Sequence, residues 1–323
     1  MRFYSIIIPV YNRPIEIDEL LTSLVLQTYK KFEVIVIDDG STLKADKVIA
    51  KFQDQLDIHY YWKENSGQGF ARNYGYENAK GDYSLVFDSD CIIPQDYLQK
   101  VEDSLNQNYL DAFGGPDNAD TSFTWLQRAI NFSMTSKVTT GGIRGDKSSA
   151  SSFTPRSFNM GITAEVFNKT GGYILPRMGE DIEFSIRIRK NNFKVGLIPE
   201  AFVFHKRRTN FLQFFRQLHF FGRARINVYR FHPESLKITH FFPAIFVFGI
   251  ITIIFALFVA PVISIVLVYS YAFYFILIFL LSLAKTLNPV IALLSIPAAF
   301  IQLTAYGIGF IIEGLRYLFG RRK

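Results

Sequence analysis

Two carboxylates one residue apart, Asp88 and Asp90, follow the apolar run Tyr83–Phe87. Residues two apart in an extended segment point to the same side, so this pair can share a hard divalent cation, Mg²⁺ or Mn²⁺, that also binds substrate phosphates. Such an ion offsets the charge that develops on a departing nucleoside diphosphate. The same spacing also suits a turn or a helix cap ahead of Pro94. Upstream, Asp38 and Asp39 close another apolar run, a place suited to a ribose hydroxyl or a base N–H. Gly67-Gln68-Gly69 precedes a helical pattern bearing Arg72, which suits a diphosphate held by backbone N–H groups. It is not a dinucleotide fingerprint, because Arg72 stands where the third glycine would be. Gly114-Gly115-Pro116-Asp117 ends a further strand and offers Asp117 to an acceptor.

These groups need a scaffold that brings distant segments together. Tyr4 to Val10, Phe32 to Ile37, Ile58 to Trp62 and Tyr83 to Phe87 are β-rich runs bounded by turn residues. Helical patterns lie between them, the clearest over Ile15 to Thr28, where Ile17, Leu20, Leu21 and Leu24 recur behind Pro14. Strand-helix repetition predicts an α/β fold with a mostly parallel sheet covered on both faces. Ligands of such sheets bind beyond the carboxyl ends of the strands, and every polar cluster named above falls at such an end. Trp62 and Trp125 are expected in the core, and His59, His219, His232 and His240 carry no usable pattern.

In order and spacing, Ser5-Ile-Ile-Ile-Pro-Val-Tyr-Asn12, Asp38-Asp-Gly-Ser41, Asn65-x-Gly-x-Gly-x-Ala-Arg-Asn73, Asp88-x-Asp90 and Gly179-Glu-Asp181 resemble family 2 of the inverting, metal-dependent glycosyltransferases, which have the GT-A fold. The resemblance covers residues 3 to 230. It implies that Pro9, Tyr11, Asp38 and Asp39 hold the nucleoside, that Arg72 lies near the diphosphate, and that Asp88 and Asp90 bind the metal. It also implies that Asp181, beside Glu180, is the catalytic base, and that His205 is a third metal ligand. A carboxylate near the acceptor hydroxyl can take its proton as it attacks the anomeric carbon, and a single displacement inverts that carbon. Glu180-Asp181 also fits the first turn of a helix, where acids stabilise the dipole. Gln213-Phe-Phe-Arg216-Gln217 resembles in part the Q-x-x-R-W signature of processive synthases, with Gln217 at the Trp position, and it offers Gln213 and Arg216 to the acceptor or diphosphate.

The second half of the chain changes character. The 323 residues carry a net charge of +7, divided as −4 over 1–204, +7 over 205–240 and +4 over 241–323. No charged residue stands between Phe241 and Ala284. As one helix those 44 residues would reach about 66 Å, about twice a hydrocarbon core, so breaks at Ala260-Pro261 and Asn288-Pro289 define membrane segments 241–259, 262–284 and 289–312. The expected division is therefore a GT-A head over 1–204, a basic interface segment over 205–240 and a membrane region over 241–323. The apolar segments hold no charge pair that would mark a permeation path.

Lys and Arg beside the first span predict a cytoplasmic head at the inner membrane, although three full crossings would leave Arg321-Arg322-Lys323 outside. No apolar stretch of a secretory signal follows Met1, and the single cysteine, Cys91, excludes an internal disulfide. Residues 209–230 mix Phe and Leu with Arg216, Arg223 and Arg225, as in a helix lying among lipid phosphates or packed on the head. Thr139 to Phe153, rich in Gly and Ser, reads as a lid or a solvated loop. The expected partners are a nucleoside-diphosphate sugar, a lipid-linked acceptor in surface-glycan assembly or a polyprenyl phosphate, and membrane lipids, but not nucleic acid. A catalytically silent scaffold is the competing class, and it has no need of both a metal pair and a base.

Overall fold

The computed structural model describes residues 1–118, 123–141, 153–205 and 208–320, without the side chain of His205. Most of the lid segment, Lys206 and Arg207 of the basic segment, and the terminal basic triplet lie outside the described residues. The chain divides into two compact units, Met1–Asp120 with Ser148–Lys206 and Thr121–Lys147 with Arg207–Lys323. The sequence pattern, which gives a head over 1–204, carries no sign that 121–147 groups with the apolar helices.

In the first unit the strands are β1 (Tyr4–Val10), β2 (Phe32–Asp39), β3 (Ile58–Lys63), β4 (Tyr83–Phe87), β5 (Cys91–Ile92), β6 (Ala112–Gly114), β7 (Asp117–Asn118), β8 (Asn159–Thr163), β9 (Val195–Leu197) and β10 (Val203–His205). Its helices are α1 (Pro14–Val25), α2 (Asp46–Ile49), α3 (Gln68–Glu77), α4 (Tyr97–Gln107), α7 (Ala164–Thr170) and α8 (Glu180–Lys190). The main sheet has the order β3-β2-β1-β4-β8-β6-β9. β1 runs parallel to β2 and β4, and β2 to β3, whereas β8 runs against both β4 and β6. The sheet is thus mostly parallel with one reversed strand.

Alternation along the strands fills both faces. Ile6, Ile8, Val34, Val36, Leu85 and Phe87 pack with Ile17, Leu20 and Leu24 of α1 and with Leu98 and Val101 of α4. Ile7, Ile35, Ile37 and Val86 meet Ala71 of α3, Val166 of α7 and Phe184 and Ile188 of α8 on the other face. Burial on two sides explains why these strands read as continuous apolar runs. Cys91 is buried, and burial pushes its thiol up, so it behaves as an apolar residue. A small second sheet, β5-β10-β7, stands apart from the main one.

The second unit comprises α5 (Trp125–Thr135), α6 (Lys137–Thr140), α9 (Phe211–Phe231), α10 (Phe242–Val259), α11 (Pro261–Thr286) and α12 (Pro289–Phe319). Among the described residues, three helices are long and apolar enough to cross a membrane, at Ile238–Val259, Pro261–Thr286 and Pro289–Phe319. Half of the third one's apolar stretch is buried, against 11% for the other two, and α5, α9, α10 and α11 all pack on it. Glycine permits that packing: a Cβ at Gly222 of α9 would strike the carbonyl of Tyr306, and one at Gly309 of α12 would strike that of His219. α9 buries Phe214 and Leu218 with Ala298 and Ala305 of α12, so its apolar stripe faces a helix of its own unit. α5 is held to α12 by Ser133, whose hydroxyl donates to Gln302 at 2.9 Å. Glu313 of α12 stands one residue beyond the third expected membrane segment, 289–312, which carries no charge. Nearly buried, it accepts from Arg223 at 3.0 Å and Arg230 at 2.9 Å. Those partners stand some ninety residues away in sequence, on α9, which hid the pair.

Candidate functional site

The site is built from the loops at the carboxyl ends of β1 to β4. After β1 the chain turns at Asn12, whose φ is +54°. Its Oδ1 accepts from the backbone N–H groups of Thr42 and Leu43, both at 2.9 Å, and its own N–H donates to Ser41 Oγ at 2.8 Å. The first two loops are thereby stitched together. Asp38 is fully buried, one oxygen accepting from the Ser41 N–H at 2.8 Å and the other from the Tyr60 hydroxyl at 2.6 Å. Asp39 accepts from Lys63 Nζ and the Ser66 N–H through one oxygen and from the Gly67 N–H through the other, each at 2.9 Å. Both carboxylates therefore hold loop 64–67 and the turn after β2. Tyr11 stands half exposed at this rim, and Pro9 is partly buried at the end of β1. Trp62 is 50% and Trp125 56% exposed, which corrects their expected place in the core. Trp62 is the last residue but one of the edge strand β3, with Lys44 above its ring, and Trp125 is the outward first residue of α5.

The glycines of the third loop have a different task from the one their pattern suggests. Gly67 has φ +100° and ψ 152°, a conformation essentially reserved for glycine, and a Cβ there would lie 2.7 Å from the Pro176 carbonyl. The Gly69 N–H donates to that same carbonyl at 3.0 Å. The N–H groups of Gly67 and Gly69 are thus engaged with Asp39 and Pro176, and the close approach they allow is that of segment 173–177. Asn73 secures this segment by exchanging two 2.8 Å hydrogen bonds with the backbone of Tyr173. Gly67→Ala should destabilise the protein by about 1–3 kcal/mol, read as a lowered denaturant midpoint. An unchanged midpoint would show that the loop yields freely.

Arg72 is the centre of the arrangement. It is 1% exposed, donating from Nη2 to Asp88 at 2.8 Å and from Nη1 to Glu180 at 3.1 Å, with its guanidinium over the Tyr173 ring. Burial works against its charge, but Asp88, Tyr173 and Glu180 together hold it charged. Glu180 also accepts from Gln68. Burial and the neighbouring Asp181 push the Glu180 carboxyl above its usual range, against the pull of Arg72. Asp90, largely buried, is met by Arg13 Nη1 at 2.6 Å. Each carboxylate of the Asp88-x-Asp90 pair thus has its own guanidinium.

Asp181 lies one residue into α8, after Met178 and Gly179, with φ of +64° and +92°. Its Oδ1 accepts from the Ile182 N–H at 2.8 Å, and its Oδ2 faces Arg156 at 3.3 Å. The small sheet sets the backbone of His205 opposite Cys91, next in sequence to Asp90, and pairs Val203 with Asp117. Gln213 and Arg216 lie on α9 in the other unit, both exposed.

Sequence reasoning missed Arg13, Lys63, Gln68 and Arg156. Arg13 adjoins a recognised motif and Lys63 alternates onto Asp39, so both left a signal, whereas nothing in the sequence marks Arg156.

The profile of glycosyl transferase family 2 matches residues 5–169. An uncharacterized glycosyltransferase of Rickettsia typhi is 41% identical over 102 residues, which are 32% of this chain and 30% of that protein. The chain therefore spans less than a third of that relative's length. A mannosyltransferase from Pyrobaculum calidifontis, solved with GDP-Man and Mn²⁺, superposes with a TM-score of 0.59 at 16% identity, covering 99% of this chain and 88% of that one. TarS 1–349 of S. aureus, solved with UDP, gives 0.50 at 20% identity over 70% and 66% of the two chains. These likenesses establish a GT-A-like fold. With the family's motifs standing in order on the crevice loops and its profile covering just over half of the residues, the chain belongs to glycosyl transferase family 2.

Proposed function

We propose that the protein moves a sugar from a nucleoside-diphosphate donor to an acceptor hydroxyl with inversion, and that Asp181 is the base. The observation that carries this reading is the buried Arg72 bridge. By joining Asp88 to Glu180, it ties the donor-side loop after β4 to the helix that bears Asp181. Glu180 is committed to Arg72 and Gln68, whereas Asp181 keeps an oxygen toward Arg156 at 3.3 Å and is the more accessible of the two. Glu180 is therefore the positioning residue and Asp181 the proton acceptor.

The donor set of Asp88 and Asp90 fits Mg²⁺ or Mn²⁺, since hard carboxylate oxygens suit both ions and an ionised carboxylate has about four acceptor sites, more than Arg72 and Arg13 use. A bound ion would offset charge on the leaving diphosphate. His205 is proposed as a further ligand on the backbone pairing that sets it opposite Cys91. Pro9, Tyr11, Asp38 and Asp39 are assigned to the nucleoside pocket, with Gly67 shaping its floor and Asp117 on the acceptor side. The GDP-Man and UDP bound to the two structural neighbours support this donor class.

The apolar helices favour an acceptor carried on a lipid, with the head on the cytoplasmic side of the inner membrane. Arg223, Arg230 and Arg316 converge on the single carboxylate of Glu313, and the surplus positive charge suits lipid phosphate. Gln213 and Arg216 would then serve the acceptor end.

The test presents UDP-, GDP- and dTDP-sugars to the detergent-purified protein, with Mn²⁺ or with chelator. One donor class should bind in a metal-dependent way, and Asp90→Ala should weaken that binding on the order of 100-fold. If no nucleotide sugar binds, the transferase reading is lost and a silent scaffold takes its place.

A further inference from the structure

A second cluster of ligating groups lies at the opposite end of the sheet. Glu33, the second residue of β2, Asp57, just before β3, and His59 of β3 have one ligand atom each within 4.8 Å of one another. Six residues of strand, about 20 Å, separate Glu33 from Asp39 and the crevice. Among the described residues this is the group of three whose spacing could hold a metal ion. We propose that Glu33, Asp57 and His59 bind a divalent transition-metal ion, Zn²⁺ by their chemistry, that fastens the edge strand β3 to β2.

Geometry carries the assignment. His59 Nε2 is 3.5 Å from Glu33 Oε2 and 3.3 Å from Asp57 Oδ1. Charge-assisted hydrogen bonds between imidazolium and carboxylate would be about 2.7–2.9 Å, so neither contact is such a bond. Both separations are close to one edge of a tetrahedral site, since ligands about 2.0–2.1 Å from a central Zn²⁺ stand about 3.3–3.4 Å apart, and the third separation is within 4.8 Å.

Glu33 supplies an independent sign of a missing partner. It is fully buried, and its Oε1 accepts from Ser5 Oγ at 2.6 Å and the Lys80 N–H at 2.8 Å. Its Oε2, also buried, has no hydrogen-bond partner and is directed at His59, whose Nε2 has none either. A carboxylate oxygen withdrawn from water without a donor is costly unless a cation meets it. Lys80 Nζ, at 4.0 Å, is the competing cation, but its side chain is 71% exposed and free to swing into solvent. The exposed side of the cluster leaves the fourth metal position to water, as carboxylate and imidazole ligands commonly do at Zn²⁺.

The experiment titrates Zn²⁺ calorimetrically into the full-length, chelator-treated protein in detergent, carrying Asp90→Ala and with no nucleotide sugar present. The result is thus read independently of the transferase assignment. One equivalent should bind, should raise the melting temperature, and should give a four-coordinate visible spectrum when Co²⁺ replaces Zn²⁺. His59→Ala, at a partly exposed position, should weaken binding on the order of 100-fold, and His59→Gln should do the same in a side chain of similar size. Absence of a bound equivalent, or binding indifferent to both His59 variants, would overturn the proposal and leave a plain His–carboxylate contact.

Discussion

Asp181→Asn should lower sugar transfer by about 10²–10⁴-fold while donor affinity stays within about threefold of the parent protein. The substitution keeps the size of the side chain, and its amide oxygen can still accept from the Ile182 N–H, so the start of α8 is preserved. What is lost is the basicity of the oxygen that faces Arg156. The donor contacts proposed above belong to the loops after β1 to β4, which do not depend on that oxygen. Calorimetric donor binding beside a transfer assay separates the two effects. Turnover retained in Asp181→Asn would remove Asp181 from the role of base. A parallel loss of donor binding would instead make it part of the donor pocket.

Arg72→Met should be the most damaging single change to the fold of the first unit. It leaves Glu180, nearly buried, and Asp88, about a third exposed, without their shared cation. Breaking one side of a buried pair costs about 3–5 kcal/mol, most of it here from Glu180, since solvent screens Asp88. The melting temperature should fall by roughly 10 °C. Adding Glu180→Gln should restore part of the loss, because the stranded charge is then gone.

The pH dependence of Arg72→Met has a definite sign. The Glu180 carboxyl is already pushed up by burial and by Asp181, so it releases its proton at a higher pH in the folded protein than in the unfolded chain. Losing Arg72 raises it further. The deficit of Arg72→Met is therefore full above the raised value and shrinks as pH falls through it. Melting within about 2 °C of the parent protein at neutral pH would mean that Arg72 has no structural part and faces the donor instead.

Much of this architecture is legible in the residues themselves. Val, Ile and Phe runs closed by Pro9-Val10-Tyr11, Asp38-Asp39 and Asp88-Ser89-Asp90 locate β1, β2 and β4, because a strand buried on both faces must be apolar until it leaves the sheet. The Pro14 start of α1 and the Pro-marked breaks at Ala260-Pro261 and Asn288-Pro289 come from the same local physics. Periodicity also puts the loops after β1 to β4 at the carboxyl ends of the strands, whereas Glu180 and Asp181, at the start of α8, are marked by the family resemblance.

Partnership was beyond its reach. Gly67-x-Gly69 reads locally as a phosphate cradle, yet its N–H groups are met by Asp39 and Pro176, the second a hundred residues downstream. Arg72 reads as a donor contact, yet burial turns it into the link between Asp88 and Glu180. Residues 125–140 carry no marker of membrane company, yet Ile130 and Met134 pack beside Ala298 of α12, and Ser133 and Thr139 are both hydrogen-bonded to Gln302. Glu33 and His59 look unremarkable until the parallel pairing of β2 with β3 brings them within 3.5 Å. By itself the sequence determined the elements, their order and the chemistry available at each loop, because periodicity, turn residues and caps act over a few residues. Which carboxylate meets which cation was decided only by the tertiary structure, because hydrogen bonds and ion pairs between residues far apart in the chain depend on a register and a packing that no local pattern encodes.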